Sequence, residues 1–167
     1  MTIKIPNSAK VIIIGGGVAG CSVAYHLSKF GWHDIVLLER DQLTSGTTWH
    51  AAGLIGQLGS SATITKLRNY SLNLYKQLEI ETNLSTGLKQ NGSLTVATTK
   101  SRLQELKRQV TTAQLFNVEA NEVTTDQIKS LYPHINTKDI IGGVHIPNDG
   151  QADPIGVTNV LAKAAKQ

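Results

Sequence analysis

The segment KVIIIGGGVAG, residues 10–20, decides the fold class of this 167-residue chain. Lys10–Ile14 is a β-branched run typical of a strand buried on both faces of a parallel sheet, and it leads directly into three glycines. Apolar residues then recur at helical spacing over Val18–Phe30, and Gly31 follows as a C-terminal stop signal. A second apolar run, Ile35–Glu39, completes a strand–helix–strand unit. The sequence therefore predicts an α/β fold that begins with a β-α-β unit of right-handed crossover.

Three glycines at the junction of strand and helix indicate a Rossmann-like dinucleotide site. Gly15, Gly17 and Gly20 form the pattern G-x-G-x-x-G in the place where that site requires it. The first glycine allows the tight turn, the second lets the backbone approach a pyrophosphate, and the third lets helix and strand pack closely. Because the start of a helix offers unpaired N–H groups and a partial positive charge, Val18 and Ala19 join the predicted site.

An acidic residue follows the second strand at the distance expected for ribose binding. Glu39 lies nineteen residues after Gly20, where its carboxylate can accept hydrogen bonds from ribose hydroxyls. A carboxylate there also repels a 2′-phosphate, which disfavours NADP. Arg40, next to it, is included in the predicted site. This unit alone leaves FAD and NAD open, and a structural glycine turn beside a surface glutamate is the simpler alternative.

Composition excludes several classes of protein. Apolar residues make up 40% of the chain and charged residues 17%, as in ordinary soluble domains. The net charge is only +4, and the basic residues are spread out, so no nucleic-acid partner is predicted. One cysteine excludes a disulfide framework, and the histidines lack ligand spacing, so no metal is predicted. Without a targeting segment or a spanning apolar run, we expect a cytoplasmic protein with no membrane partner.

Downstream patterns predict further elements. Glycines predict a loop or short helix over 44–61, and helical spacing predicts helices over 64–80 and 101–116. A type I′ hairpin is predicted at Asn91–Gly92 and a strand within 139–146. A short helix would be capped by Thr124 or Thr125 and ended by Pro133, and Asp153–Pro154 would begin the final helix.

One stretch carries a family resemblance. LLERDQLTSGTTWHAAGL, residues 37–54, together with VIIIGGGVAGCSVAYHLSKFG before it, resembles the N-terminal segment of the dimethylglycine dehydrogenase and sarcosine dehydrogenase family. These flavoenzymes belong to the D-amino-acid-oxidase-like superfamily. The resemblance continues through QNGSL, LYP, GGVHIPNDG and ADP, and GTTWHAAG is its most specific part. It implies that the cofactor is FAD rather than NAD.

The resemblance gives individual residues roles. His50 matches the histidine that binds FAD covalently in this family through the 8-methyl carbon of the flavin. A neutral imidazole keeps one ring nitrogen with a free lone pair, which makes such a bond chemically plausible. Trp49 either stacks near the flavin or fills core. The remaining predicted contacts to the cofactor are Gly46, Thr47 and Thr48 as donors to the pyrophosphate or ribityl chain, and Ala52, Gly53 and Leu54 beside the ring.

The implied activity is oxidative demethylation of N-methyl amino acids such as sarcosine or dimethylglycine, with formaldehyde or a tetrahydrofolate-bound one-carbon unit as the product. The implied domains are an FAD-binding part (1–86), the first excursion into an antiparallel substrate domain (87–148), and a return helix (149–167). Family members are much longer, so the chain is expected to be an N-terminal piece. No catalytic residue is assigned, since the matching positions are absent.

Two other functions stay open. A related branch resembles the regulatory subunit of pyruvate dehydrogenase phosphatase, a binding partner without this turnover. The chain could also be a nucleotide-binding remnant without activity. For a eukaryotic source lacking its transit peptide, the resemblance implies the mitochondrial matrix.

Overall fold

The computed structural model describes residues 6–167. In chain order its elements are β1 (Val11–Ile14), α1 (Val18–Lys29), β2 (Ile35–Leu38), a 3₁₀ helix (Thr48–His50), β3 (Leu54–Ile55), α2 (Ala62–Thr82), β4 (Ser93–Ala97), α3 (Lys100–Gln114), β5 (Asn121–Val123), α4 (Thr125–Leu131), β6 (Gly142–Ile146), β7 (Gly150–Gln151) and α5 (Pro154–Ala164). They form two compact units. The first contains the described residues up to 53, with 74–88 and 152–167, and the second contains 54–73 and 89–151.

The first unit is built on the β-α-β segment. β1 and β2 pair in parallel, with Val11 opposite Ile35 and Ile14 opposite Leu38. Helix α1 contacts both strands and packs against α5. The buried side chains include those of Cys21, Ala24, Tyr25, Leu74, Leu78, Val157, Val160, Leu161 and Ala164. The predicted α/β class and the parallel β-α-β unit are therefore confirmed.

Helix α5 begins where the sequence places it. Asp153 is the N-cap, and its two carboxylate oxygens accept hydrogen bonds from the N–H groups of Ile155 and Gly156, each at 3.0 Å. Pro154 occupies the first turn, where its missing N–H is not needed. The backbone N–H of Asp153 also donates to the carbonyl of Thr86. The start of α5 is therefore bonded to Thr86, in the segment that follows α2.

The prediction that β1 is buried on both faces is wrong. Ile13 lies on the face that approaches α1, near Gly20. Ile12 and Ile14, on the opposite face, are 58% and 88% exposed. Leu38 of β2 is also exposed. The helices that contact β1 and β2 cover one face only, so an apolar face of the two-stranded sheet remains open among the described residues of this unit.

The second unit carries the antiparallel part of the structure. Its three-stranded sheet has the order β4-β6-β5, with both pairings antiparallel. Helix α3 packs over one face, where Ala97, Leu106 and Val144 form a buried cluster. Helix α4 begins with a complete capping box between Thr124 and Gln127. Two further short strands, β3 and β7, pair with each other.

The predicted hairpin at Asn91–Gly92 is wrong. β4 does not pair with the residues before Asn91 but with β6, Ser93 lying opposite Ile146. Lys89 pairs with Gln151 instead. A type I′ turn needs a positive φ at both central residues, and only Gly92, with φ 80°, has one. The Gly92 N–H donates to the carbonyl of Asp149, so the turn serves a long-range pairing.

Other differences concern the ends and number of elements. The predicted loop 44–61 contains the 3₁₀ helix and also β3, which the sequence did not predict. The strand within 139–146 is confined to Gly142–Ile146. None of the helices in residues 6–167 has both the length and the apolar character needed to cross a bilayer.

Candidate functional site

The glycine turn is closed by backbone contacts. Gly15 has φ 109°, a conformation that favours glycine, and its N–H donates to the carbonyl of Leu38 at 2.8 Å. A Cβ on Gly20 would overlap the carbonyl oxygen of Gly15 and would touch Ile13 at 3.4 Å. Any side chain at position 20 would therefore push α1 away from the strand. The turn and the first turn of α1 form one closely packed backbone unit.

The start of α1 presents free donors. Gly17 is the N-cap and has no side chain to bond the first turn. Among the described residues, no acceptor bonds the N–H groups of Gly17, Ala19 or Gly20. Val18 and Ala19 are exposed. These unpaired donors, with the positive end of the helix dipole, fit a pyrophosphate.

Glu39 holds the end of β2 against the glycine turn. Its carboxylate accepts hydrogen bonds from the N–H groups of Gly16 at 2.6 Å, Arg40 at 2.7 Å and Asp41 at 3.2 Å. The bond from Gly16 is the main reason why the pKa of Glu39 lies below its usual value. Arg40 itself is exposed beside Asp41. Carboxylate oxygens accept more than one bond each, so the predicted ribose contact stays a prediction.

Two buried threonines attach the following loop to the glycine turn. The Thr44 N–H donates to the carbonyl of Gly16 at 3.0 Å. The Thr48 hydroxyl oxygen accepts a hydrogen bond from the Val18 N–H at 3.0 Å. Thr48 therefore caps α1 from thirty residues away, in place of the side chain that Gly17 lacks. Its O–H remains available as a donor, as the predicted cofactor contact requires.

The hydrogen bond of Thr48 holds the 3₁₀ turn that contains His50 to the start of α1. His50 lies in the same 3₁₀ turn, and its backbone N–H donates to the carbonyl of Thr47. Its imidazole is exposed and contacts the ring of Trp49, with centroids 3.8 Å apart and ring planes tilted by 40°. Among the described residues, neither ring nitrogen has a hydrogen-bond partner. Trp49 is 54% exposed, so the alternative in which it fills core is wrong.

The remaining predicted residues follow the same loop. Gly53 has φ 70°, and a Cβ there would overlap the carbonyl oxygen of Ala152, whose N–H donates to the Gly53 carbonyl. This pairing ties the end of the loop to the start of α5. Gly46, Thr47 and Ala52, together with Leu54 at the start of the second unit, have exposed surfaces.

The sequence interpretation missed Gly16, Leu43 and Thr44. A Cβ on Gly16 would lie 2.5 Å from the Leu43 side chain, which packs over the turn. Thr44 adopts φ 75°, unusual for a β-branched residue, and bonds Gly16. The run of three consecutive glycines was a signal that Gly16, the middle one, also needs to lack a side chain. Nothing local identifies Leu43 or Thr44, because their roles depend on the return of the chain to the turn.

A cavity of about 320 Å³ opens beside Glu39 in the first unit. Its walls include Cys21, Leu37, Leu43 and Lys166. Burial is the main cause that raises the pKa of the Cys21 thiol, so this residue contributes an uncharged wall. The cavity is mostly apolar, with one carboxylate and one ammonium group at its border.

Comparison with known proteins decides the family. Residues 10–167 match the family of FAD-dependent oxidoreductases designated DAO. The chain belongs to the DAO family. The predicted resemblance to sarcosine and dimethylglycine dehydrogenases is also confirmed, and three relatives illustrate it. Human sarcosine dehydrogenase is 43% identical over 162 residues, rat dimethylglycine dehydrogenase 41% over 161, and the mouse regulatory subunit of pyruvate dehydrogenase phosphatase 40% over 166.

These alignments cover most of the DAO-family chain but little of the relatives. They span 96%, 96% and 99% of this chain, and 18%, 19% and 19% of the three relatives in the same order. Among solved structures, L-proline dehydrogenase from P. horikoshii superimposes with a TM-score of 0.89 at 26% identity, over 97% of this chain and 42% of that one. The fold is therefore that of FAD-dependent oxidoreductases.

Proposed function

We propose that this chain supplies the cofactor-binding part of an FAD-dependent oxidoreductase that oxidatively demethylates N-methyl amino acids such as sarcosine or dimethylglycine. We further propose that FAD is bound covalently through His50. One observation carries the second proposal: an exposed imidazole with unbonded ring nitrogens is attached, through Thr48, to the N-terminus of α1. The similarity to sarcosine and dimethylglycine dehydrogenases supports the first.

Each part of the cofactor is assigned to a different set of the predicted residues. The N–H groups of Gly17, Ala19 and Gly20 would hold the pyrophosphate. Glu39 would accept from the ribose, and the apolar cavity beside it would receive the adenosine end of the molecule. Gly46, Thr47 and Thr48 would bond the pyrophosphate or ribityl chain. His50, Ala52, Gly53 and Leu54 would lie beside the flavin ring.

FAD, when bound, supplies the two-electron oxidation of the substrate N-methyl group. The chain contributes position. The two bonds from Thr44 and Thr48 keep the His50 loop on the glycine turn, and Gly53 fixes its other end to Ala152. Because both ends of the loop are fixed, the imidazole moves little relative to the N–H groups that would hold the phosphates. This would favour the bond from His50 to the 8-methyl carbon of the flavin.

His50→Ala tests covalent attachment. The protein is expressed from its complete gene and precipitated with acid, and the flavin absorbance of pellet and supernatant is measured. We expect the flavin in the pellet for the wild type and in the supernatant, or absent, for His50→Ala. For residues 1–167 alone we expect weak, noncovalent or absent binding of FAD.

His134→Ala is the matched control, since His134 is another exposed histidine and lies in the second unit. It should retain flavin in the pellet. Covalent flavin in His50→Ala would contradict the attachment proposal. A wild-type protein from the complete gene that binds no flavin would contradict FAD binding itself and would support the nucleotide-binding remnant.

A regulatory subunit is the second candidate, favoured by the 40% identity to the mouse phosphatase subunit. Substrate turnover distinguishes the demethylating enzyme from the regulatory subunit. The flavin-loaded protein is mixed with sarcosine or dimethylglycine under anaerobic conditions, and flavin bleaching is followed. Bleaching supports the demethylating enzyme, whereas retained flavin without bleaching supports the regulatory subunit.

Two parts of the proposal concern the whole protein. The one-carbon product is either formaldehyde or a unit bound to tetrahydrofolate, and we assign no residue of this chain to tetrahydrofolate. Formaldehyde release is therefore tested first, by trapping the aldehyde during turnover. The three aligned relatives are named as mitochondrial proteins. For a eukaryotic source we therefore propose the mitochondrial matrix, and for a bacterial source the cytoplasm.

A further inference from the structure

The second unit contains a cleft of about 430 Å³ that the proposed function does not use. It lies along the sheet face that carries Leu94 and Val96 of β4. The pairing of Leu94 with His145 places the imidazole on this same face, because directly paired residues point to the same side of a sheet. Ile135, in the turn after α4, also lines the cleft. Its volume is that of a small-molecule site.

Three polar side chains with hydrogen-bond donors border this cleft, and the ring of one of them, Tyr132, lies edge-on to His134. They belong to Asn91, Tyr132 and His145. Among the described residues, none of them has a side-chain hydrogen bond. Tyr132 contributes a phenolic O–H, Asn91 an amide and His145 a half-buried imidazole. Asn91 and Tyr132 are exposed and His145 is half-buried, so these donors lie at the solvent-facing border of the cleft. A mostly apolar pocket with a few polar groups is the usual form of a ligand site.

The backbone is shaped to keep the His145 ring in place. A Cβ on Gly92 would lie 2.5 Å from Nε2 of His145, so the ring occupies the space that any side chain at position 92 would need. Gly92 also has φ 80°, which disfavours other residues. The turn after α4 is held as well, since Lys129 Nζ donates to the carbonyl of Ile135 at 2.9 Å.

We propose that this cleft binds a small monocarboxylic acid with an aromatic or branched apolar body. The apolar body would lie against Leu94, Val96 and Ile135. The carboxylate would accept hydrogen bonds from Tyr132, Asn91 and His145, all of which can donate. Among the described residues no aspartate or glutamate lines the cleft; the Asp149 carboxylate lies behind the lining residue Ser93, whose hydroxyl donates to it at 2.7 Å. The Lys129 ammonium, bonded to the carbonyl of Ile135, lies at the adjoining turn. The site needs no flavin.

Benzoate is the probe, and benzylammonium is its counterpart of opposite charge. The wild-type chain, free of flavin, is titrated with each while the ring resonances of the five histidines are followed by NMR. We expect benzoate to shift His145 with a dissociation constant of about 1 mM, as suits a ligand of this size. Benzylammonium should leave His145 unchanged at the same concentration.

His145→Phe keeps the flat ring and removes the donor, and it should weaken benzoate binding about tenfold, followed through the amide resonances of β4. His33→Ala, in the first unit, is the control and should bind as the wild type does. Gly92→Ala should displace the His145 ring and weaken binding without changing the dispersion of the second-unit spectrum.

The proposal is overturned if benzoate shifts no second-unit resonance at about 10 mM, a tenfold excess over the expected constant. It is also overturned if benzylammonium binds equally well, or if His145→Phe binds as the wild type does. Because flavin takes no part, these outcomes leave the proposed function untouched.

Discussion

At the residue scale, single side chains do the work of connecting distant backbone segments. Glu39 accepts three backbone N–H groups, and Thr48 caps a helix that lies thirty residues earlier in the chain. Glu79 is a further case. Its carboxylate accepts from the N–H of Thr86 at 2.6 Å, the hydroxyl of Thr86 at 2.7 Å and the hydroxyl of Ser85 at 3.2 Å. It thus joins α2 to the segment after it.

The bonds of Glu79 predict a pH dependence. The hydroxyl of Thr86 is the main reason why the pKa of Glu79 is lowered in the fold. A lowered carboxylate pKa adds stability that is present above the unfolded pKa of about 4.3 and is lost as pH falls through the folded pKa. We expect Glu79→Gln to lower stability by about 1 kcal/mol at pH 7, where the exposed part of the group is screened by water.

Urea unfolding at a series of pH values between neutrality and the acid range measures this effect. The difference between wild type and Glu79→Gln should shrink as the solution is acidified. Glu105→Gln, on the surface of α3 beside Arg102, serves as the control and should show a smaller difference at neutral pH. A Glu79→Gln difference that grows in acid would contradict the assignment.

At the element scale, the helix starts are the best specified features of the chain. Thr124 and Gln127 form a capping box, Thr99 caps α3 through the Arg102 N–H, and Asp153 caps α5 with both oxygens. These caps are local, since the side chain and the N–H groups it satisfies lie within three residues. Helix α1 is the exception, because its cap comes from Thr48.

Removing the cap of α5 should destabilise the first unit. We expect Asp153→Ala to cost about 1 kcal/mol, since two orphan N–H groups lose their acceptor. Asp153→Asn should retain most of that stability, because the amide oxygen still accepts a bond. The measurement is the free energy of unfolding in urea, followed by far-UV circular dichroism.

Thr99→Ala provides a comparison in the second unit, since the Thr99 hydroxyl oxygen accepts only one backbone N–H, from Arg102 at 3.3 Å, beside its contact with the Ser101 hydroxyl at 3.2 Å. Its cost should be smaller than that of Asp153→Ala. Equal stability of Asp153→Ala and the wild type would show that the cap contributes nothing measurable.

At the scale of the whole molecule, the exposed apolar face of the β1–β2 pair is a surface on which copies of the chain can associate. Ile12, Ile14 and Leu38 are exposed on neighbouring parallel strands. An open apolar patch of this kind on a strand pair favours self-association. We expect the 167-residue chain to bind an apolar dye and to associate with increasing concentration.

The double substitution Ile12→Thr/Ile14→Thr should reduce both dye fluorescence and association. Threonine keeps the β-branched shape that strands prefer, so the unfolding free energy should change by less than about 1 kcal/mol. Ile13→Thr is the matched control: it faces α1 and should lower stability without reducing dye binding. Undiminished dye fluorescence in the double variant would locate the apolar surface elsewhere.

The sequence by itself determined the β-α-β unit, the helix start at Asp153, the start of another helix at Thr124 or Thr125, and the family, because periodicity, turn chemistry and caps act between residues close in the chain. Only the tertiary structure decided that β4 pairs with β6 rather than with the residues before Asn91. It alone also showed that Thr48 caps α1 and that Leu43 packs over Gly16. Those contacts join segments tens of residues apart, and their partners are chosen by which free N–H groups and apolar surfaces the folded chain brings together.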